Sequence, residues 1–190
     1  MSIGVGVEGP SDRTFWDKVL HKHFRGVHFD VRNMKNRCQL IRETPRLLET
    51  FRGAHYAAGF VLLDRDDTPC ATAVINEFDP HIQSEARRPL DQRYLFICVA
   101  IRELEAWFLA DAQAITSILP AVQYTPPQET AVLNAEVTLK GLWRQHHGNA
   151  AFNKIDFAGR MAPQFSPMAA QQRSSSFAHF WTRITKTIRS

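Results

Sequence analysis

The most constraining stretch of this chain is Ala58-Gly59-Phe60-Val61-Leu62-Leu63, followed at once by Asp64-Arg65-Asp66-Asp67. Six consecutive residues without a polar side chain leave no face for water. A strand formed here must be covered on both sides, as in a parallel sheet layered by helices. Parallel strands need long crossovers, so helices are expected between them. The rest of the first 119 residues fits that demand. Ile3 to Val7 is short, β-branched and glycine-spaced, and reads as a first strand; Val27 to Val31 reads as a second and Tyr94 to Ile101 as another buried one. Between them the apolar period changes to three and four. Phe15, Trp16, Val19, Leu20 and His23 share one side of a helix that Ser11 or Asp12 can cap. Leu40 to Phe51 suits a second helix, with Pro45 expected to delay its start or kink it. Pro69 opens another through about Phe78, and Glu103 to Leu119 a further one. The alternation predicts an α/β fold with a mostly parallel, Rossmann-like sheet.

After Pro120 the pattern shifts. Residues 121 to 130, with Pro126-Pro127, read as a loop; helical stretches follow at Val132 to Trp143, Lys154 to Met161 and Phe177 to Ile188, with a polar loop at Gln171 to Ser176. The expected organisation is an α/β core over 1–119 and a helical extension over 120–190 packed on it. With 190 residues and 44% hydrophobic content, one sizeable core is within reach. The formal charge of +4 and pI near 9.2 are compatible with a polyanionic partner without requiring one. Cys38, Cys70 and Cys98 are odd in number and far apart, which argues against a disulfide framework or zinc ribbon; Cys98 lies in an apolar run and reads as a reduced core residue. The N-terminus has no basic segment leading into a long apolar one, and no apolar run approaches a membrane span. The expectation is a cytoplasmic protein with no membrane partner.

Open parallel sheets place their sites beyond the carboxyl ends of the strands. Three expected strands lead into acids there: the first into Glu8, the 58–63 strand into Asp64 and Asp66, and the 94–101 strand into Glu103 and Glu105. In extended chain, side chains two apart face the same way, so Asp64 and Asp66 repel each other unless a cation lies between them. Hard carboxylate oxygens suit Mg²⁺ or Mn²⁺, which polarise phosphoryl oxygens. The competing explanation is a polar loop in which Asp64 caps the next helix.

Two segments bear a family likeness. Val7-Glu8-Gly9-Pro10-Ser11-Asp12 before an amphipathic helix resembles the first motif of TOPRIM domains, and Val61-Leu62-Leu63-Asp64-Arg65-Asp66 resembles their DxD motif. The likeness is closest to small stand-alone TOPRIM-like bacterial proteins, related to nucleases of the overcoming-lysogenization-defect type. Their later hallmark resembles Ile101 to Asp111, centred on Glu105-Ala106-Trp107, and their ends resemble Lys154 and the turn Ser174-Ser175-Ser176-Phe177. The resemblance implies a TOPRIM-like fold. It implies that Glu8 is a general acid or base, or a metal ligand, that Asp64 and Asp66 hold Mg²⁺ (or Mn²⁺), that Glu105 is a further metal ligand, and that Lys154 stabilises transition-state charge. It also implies a nuclease, a hydrolase of DNA or RNA, working with an AAA- or ABC-type ATPase partner in phage defence. A non-catalytic interaction subunit of such an ATPase complex is the alternative. Trp107, Phe108 and Leu109 read as core, and Asp111 as a helix end or a surface pair.

Other chemistries fit less well. Asp64 to Thr68 matches the DxDxT pattern of haloacid-dehalogenase-type phosphatases, but that motif normally opens its domain and no adjacent aspartate pair follows it here. Gly4, Gly6 and Gly9 form no phosphate loop, since no GxxxxGK[ST] is present. The histidines lack zinc spacing and no GxSxG elbow occurs. Basic residues gather in three places: Arg32, Lys35, Arg37 and Arg42; Arg87 and Arg88; and Arg183, Lys186 and Arg189. Each group singly reads as a solvated face, and together they could hold a phosphate backbone.

Overall fold

The computed structural model describes residues 1–89 and 92–189. Four strands, β1 (Ser2–Val7), β2 (His28–Asn33), β3 (Ala58–Asp64) and β4 (Leu95–Ala100), form one parallel sheet in the order β2-β1-β3-β4. Val7 pairs with Asn33 and Leu62, and Asp64 with Ala100, so the carboxyl ends of all four strands lie together. The chain steps from β1 to β2, then returns past β1 to β3. The order therefore reverses between β1 and β3, the place where open sheets leave a crevice for ligands.

The alternation along β3 shows how both faces are covered. Phe60 and Leu62 belong to one buried cluster, Val61 and Leu63 to another. The second face is closed by α2 (Arg37–Gly53), α3 (Ala71–Ile75) and α4 (Pro80–Arg87), through Leu40, Leu48, Val74, Phe78 and Ile82. The glycines of β1 serve this packing: a Cβ on Gly4 would lie 2.4 Å from the Phe51 ring, and one on Gly6 2.7 Å from Leu47. They let α2 approach the sheet closely, which is a structural use of the spacing that offered no phosphate loop.

The first face carries α1 (Pro10–His23) and nearly all of the later helices: α5 (Glu105–Leu109), α6 (Ala112–Ile118), α7 (Ala135–His147), α8 (Lys154–Gln164), α9 (Pro167–Arg173) and α10 (Ser175–Arg189). Phe157, Met161, Phe165, Phe177 and Phe180 enter the same cluster as Phe15, Trp16 and β1. Helix α8 lies along α1, where Lys18 and Lys22 donate to the carbonyls of Gly159 and Pro163 at 3.2 and 2.8 Å. Cations at late helix carbonyls complement the dipole there. Residues 120–189 thus share one apolar core with the α/β part.

Several local expectations change. Helix α2 starts at Arg37 because Asn36 accepts from Gln39 N at 2.9 Å, and it runs through Pro45. The helix expected over 69–78 is the short α3, and α4 follows, capped by Asp79 on His81 N at 2.8 Å. The helix expected over 103–119 breaks at Asp111. Its fully buried carboxylate accepts from Ala114 N at 3.0 Å, starting α6, and from Ser166 N at 2.6 Å, so Asp111 does mark a helix boundary and is not a surface pair. The polar run 171–176 is split between the last turn of α9 and the start of α10. Among the described residues no helix is long and apolar enough to cross a membrane.

Candidate functional site

At the switch point the side chain of Glu8, just past β1, accepts the backbone N–H of Asp64 at 2.7 Å. Asp64, the last residue of β3, accepts the N–H of Leu104 on Oδ1 at 2.7 Å, which ties it to the segment after β4. Glu105 opens α5 and is 1% exposed. Lys154, first residue of α8, reaches it with Nζ 2.8 Å from Oε1 and also lies 3.7 Å from Glu136. Apart from that ion pair, neither Glu105 oxygen has a hydrogen-bond donor among the described residues. Asp12 completes the group. It sits in the first turn of α1 and accepts from Gly9 N at 2.9 Å and from Ser11 Oγ at 3.3 Å. The cap position is therefore Gly9 rather than Ser11 or Asp12, with Asp12 reaching back from the third helical position.

Their charges act on one another. Burial, then the charges of Asp66 and Asp12, push Glu8 up to about 7 against the pull of the Asp64 N–H. Burial pushes Glu105 up to about 7, with Lys154 opposing and Asp12 adding to it. Asp64 stands well above the usual carboxylate range through burial and then the charges of Glu105, Glu8 and Asp12. Asp12 is raised by burial, although Lys154 and its own hydrogen bonds pull it down. Lys154 holds its proton more tightly than usual: burial works against the charge, and Glu105, Asp12 and Asp64 outweigh it. Four carboxylates and one ammonium leave an excess of negative charge in a place of low solvation.

Asp66 does not join them as alternation predicted. Its φ of 49° takes it out of extended chain, so the same-side rule for residues two apart no longer applies. Its side chain is 52% exposed and lies 3.3 Å from Arg37. Arg37 in turn donates to the Asp64 carbonyl, to Thr68 Oγ1 at 3.2 Å and to Glu77 at 2.7 Å, so it clamps the 64–68 turn. Glu103 accepts from Glu136 N at 2.9 Å and so serves the start of α7.

The donor set suits a hard cation. The carboxylates are short of positive charge, and Glu105 keeps a buried oxygen without a donor. Among the described residues no three acidic, histidine or cysteine side chains are gathered around one ion position. Mg²⁺ does not require such a cage, since one or two carboxylates with waters and substrate phosphates commonly hold it.

A family model described as a domain of unknown function, DUF4276, matches residues 7–185, nearly the whole chain and every residue of this site. The chain belongs to the DUF4276 family. No curated protein and no solved structure matches it. Within this DUF4276 chain the Glu-Ala-Trp segment and the serine turn meet in one buried network. Trp107 Nε1 donates to Glu129 at 3.1 Å and lies 2.7 Å from Ser176 Oγ, while Ser176 N donates to Glu129 at 3.1 Å. Sequence reasoning missed Glu129, which lies beside a proline-rich loop without periodicity. It also left Asp12 as a helix cap, although its place four residues after Glu8 was the available signal.

Proposed function

We propose that this chain is a Mg²⁺-dependent phosphodiesterase, a TOPRIM-like nuclease acting on DNA or RNA. The observation that carries the reading is the set of Glu8, Asp64 and Glu105, with Asp12, brought together at the switch point from the ends of β1 and β3 and the starts of α5 and α1, and opposed by Lys154 and, at Glu8, by Arg37. Excess buried carboxylate is unfavourable in isolation and becomes useful where a divalent ion and phosphate bind together. Asp64 and Glu8 would hold Mg²⁺, or Mn²⁺, with Glu105 behind them, and the ion would polarise a phosphoryl oxygen. Glu8, pushed up to about 7, is able to take or give a proton near neutrality. Glu105 fixes the Lys154 ammonium, which faces the acids and is placed to offset charge on a phosphoryl group. Asp66, turned to Arg37, keeps the turn in shape in this arrangement. An AAA- or ABC-type ATPase partner and a part in phage defence rest on the motif resemblance.

A second reading, a non-catalytic interaction subunit, draws on the engagement of Asp66 by Arg37 and the lack of a preformed three-residue set among the described residues. One experiment separates the two. The purified chain is incubated with plasmid DNA, single-stranded DNA and RNA with Mg²⁺ or Mn²⁺, beside Asp64→Ala. The expected result is cleavage by the parent, reduced at least about 100-fold in the variant, the scale of losing one group that stabilises transition-state charge. Cleavage that persists in Asp64→Ala sinks the site. No cleavage with either ion, together with no ion uptake by calorimetry, moves the support to the interaction subunit.

A further inference from the structure

The three groups of basic residues have different fates. Arg32 is paired with Asp30 at 2.7 Å, Arg37 with Asp66 and Glu77, and Arg42 with Glu43 at 3.1 Å. Arg88 pairs with Glu85 at 2.7 Å. Among the described residues Lys35 and Arg87 also lack a carboxylate at ion-pair distance, Arg87 donating to Asn76 Oδ1 at 2.7 Å, but only the last group gathers such cations along one helix face. Ser175, His179, Thr182, Arg183 and Lys186 recur at spacings of three and four on α10 and line a groove of about 370 Å³. Arg93, just before β4, joins them: the guanidinium carbons of Arg93 and Arg183 each lie 5.9 Å from the centre of the Phe96 ring. Among the described residues no carboxylate is within ion-pair distance of Arg93, Arg183 or Lys186. Like charges held together without an acid repel, and an anion relieves them. Burial and then the charge of Arg183 lower the proton affinity of Arg93, and burial with both arginines lowers that of His179.

The direction of this stripe matters. Ser176 Oγ accepts from Ile101 N at 3.3 Å, at the carboxyl end of β4, whereas Arg183 lies over Phe96 near its other end. Helix α10 therefore runs opposite to β4, and its stripe leads from the acidic end of the sheet along the β4 edge. Phe96 and Ile101 are five residue steps apart, about 16 Å in extended chain, which matches about five phosphates of a duplex strand.

We propose that the α10 stripe and Arg93 form a track for the phosphodiester backbone of a nucleic acid strand leading to the Glu8–Asp64 site. The destination of the strand rests on the phosphodiesterase reading; the binding does not. The test uses the full chain in EDTA with fluorescent 20-nucleotide single-stranded DNA and a 20-base-pair duplex, read by anisotropy over a KCl series. The parent binds with a linear dependence of log K on log salt. Arg183→Gln and Lys186→Gln each reduce that slope by about 0.9 for the duplex and about 0.7 for the single strand. Arg183→Lys keeps the slope and Arg42→Gln leaves it unchanged. Failure of the parent to bind at low salt, parental slopes in both glutamine variants, or binding of heparin but of neither oligonucleotide overturns the track. Binding with the expected slopes but without cleavage in Mg²⁺ supports the track and removes the phosphodiesterase.

Discussion

The Glu8 carboxylate accepts the backbone N–H of Asp64 at 2.7 Å, which joins the ends of β1 and β3 through a group that burial and neighbouring acids push up to about 7. Glu105 is pushed up to about 7 as well. Between the ordinary value of 4.5 and 7 the unfolded chain has released protons that the folded chain still binds. Stability therefore falls as pH rises through that window. Without divalent ions, the urea midpoint is expected to be higher at pH 5 than at pH 8. Glu8→Gln keeps an acceptor for Asp64 N and removes the charge, and should recover on the order of 2 kcal/mol at pH 8 while changing little at pH 5. An equal fall in parent and variant contradicts the assignment.

Glu129 gathers donors from two distant segments, Trp107 and the Ser175–Ser176 turn. Glu129→Ala leaves the Ser176 N–H and hydroxyl without their acceptor and the buried indole N–H with Ser176 Oγ alone. The expected loss is about 2–4 kcal/mol in urea unfolding, with an altered near-ultraviolet signal from Trp107. A loss below about 0.5 kcal/mol would show that water replaces the carboxylate without cost.

Gly4→Ala places a methyl group 2.4 Å from the ring of Phe51. Either α2 moves off the sheet or the ring leaves its place, at a cost of about 1–3 kcal/mol. In a double-mutant cycle with Phe51→Leu the cost should shrink. Additive costs would mean that the strain is relieved elsewhere.

Cys98 is buried, and burial pushes its thiol up to about 12, whereas Cys38 and Cys70 are exposed. The thiolate is the reactive form. A thiol reagent at pH 8 is expected to label Cys38 and Cys70 in the folded chain and Cys98 only after unfolding. Rapid labelling of Cys98 in the native state would falsify its place in the core.

The sheet was legible because its signal is dense: β3 is apolar on both faces, and a six-residue apolar run ending in acid has few other uses. The acids at Glu8 and Asp64 followed from where the strands end, and Glu105 was singled out from Glu103 by the motif resemblance. What stayed hidden depended on backbone choices that side-chain periodicity does not encode. The break at Asp111 is a cap that only a distant Ser166 N–H completes, and Asp66 left its expected side through one positive φ. The role of Arg37 needed α2 to begin three residues earlier than its apolar pattern, at a cap supplied by Asn36. The sorting of the basic groups depended on which acids lie near them in space.

Asp66 and Arg102 both adopt left-handed backbone, with φ of 49° and 74°, and Asp66 N donates to Arg102 O at 2.9 Å. Each such residue carries a conformational cost of about 1–2 kcal/mol, which the contact between them helps offset. The two loops that leave β3 and β4 are thereby latched: one cannot swing without dragging the other. The Leu104 N–H on Asp64 ties the same two loops a second time, so the turn after β3 and the segment that opens α5 at Glu105 stand on shared footing.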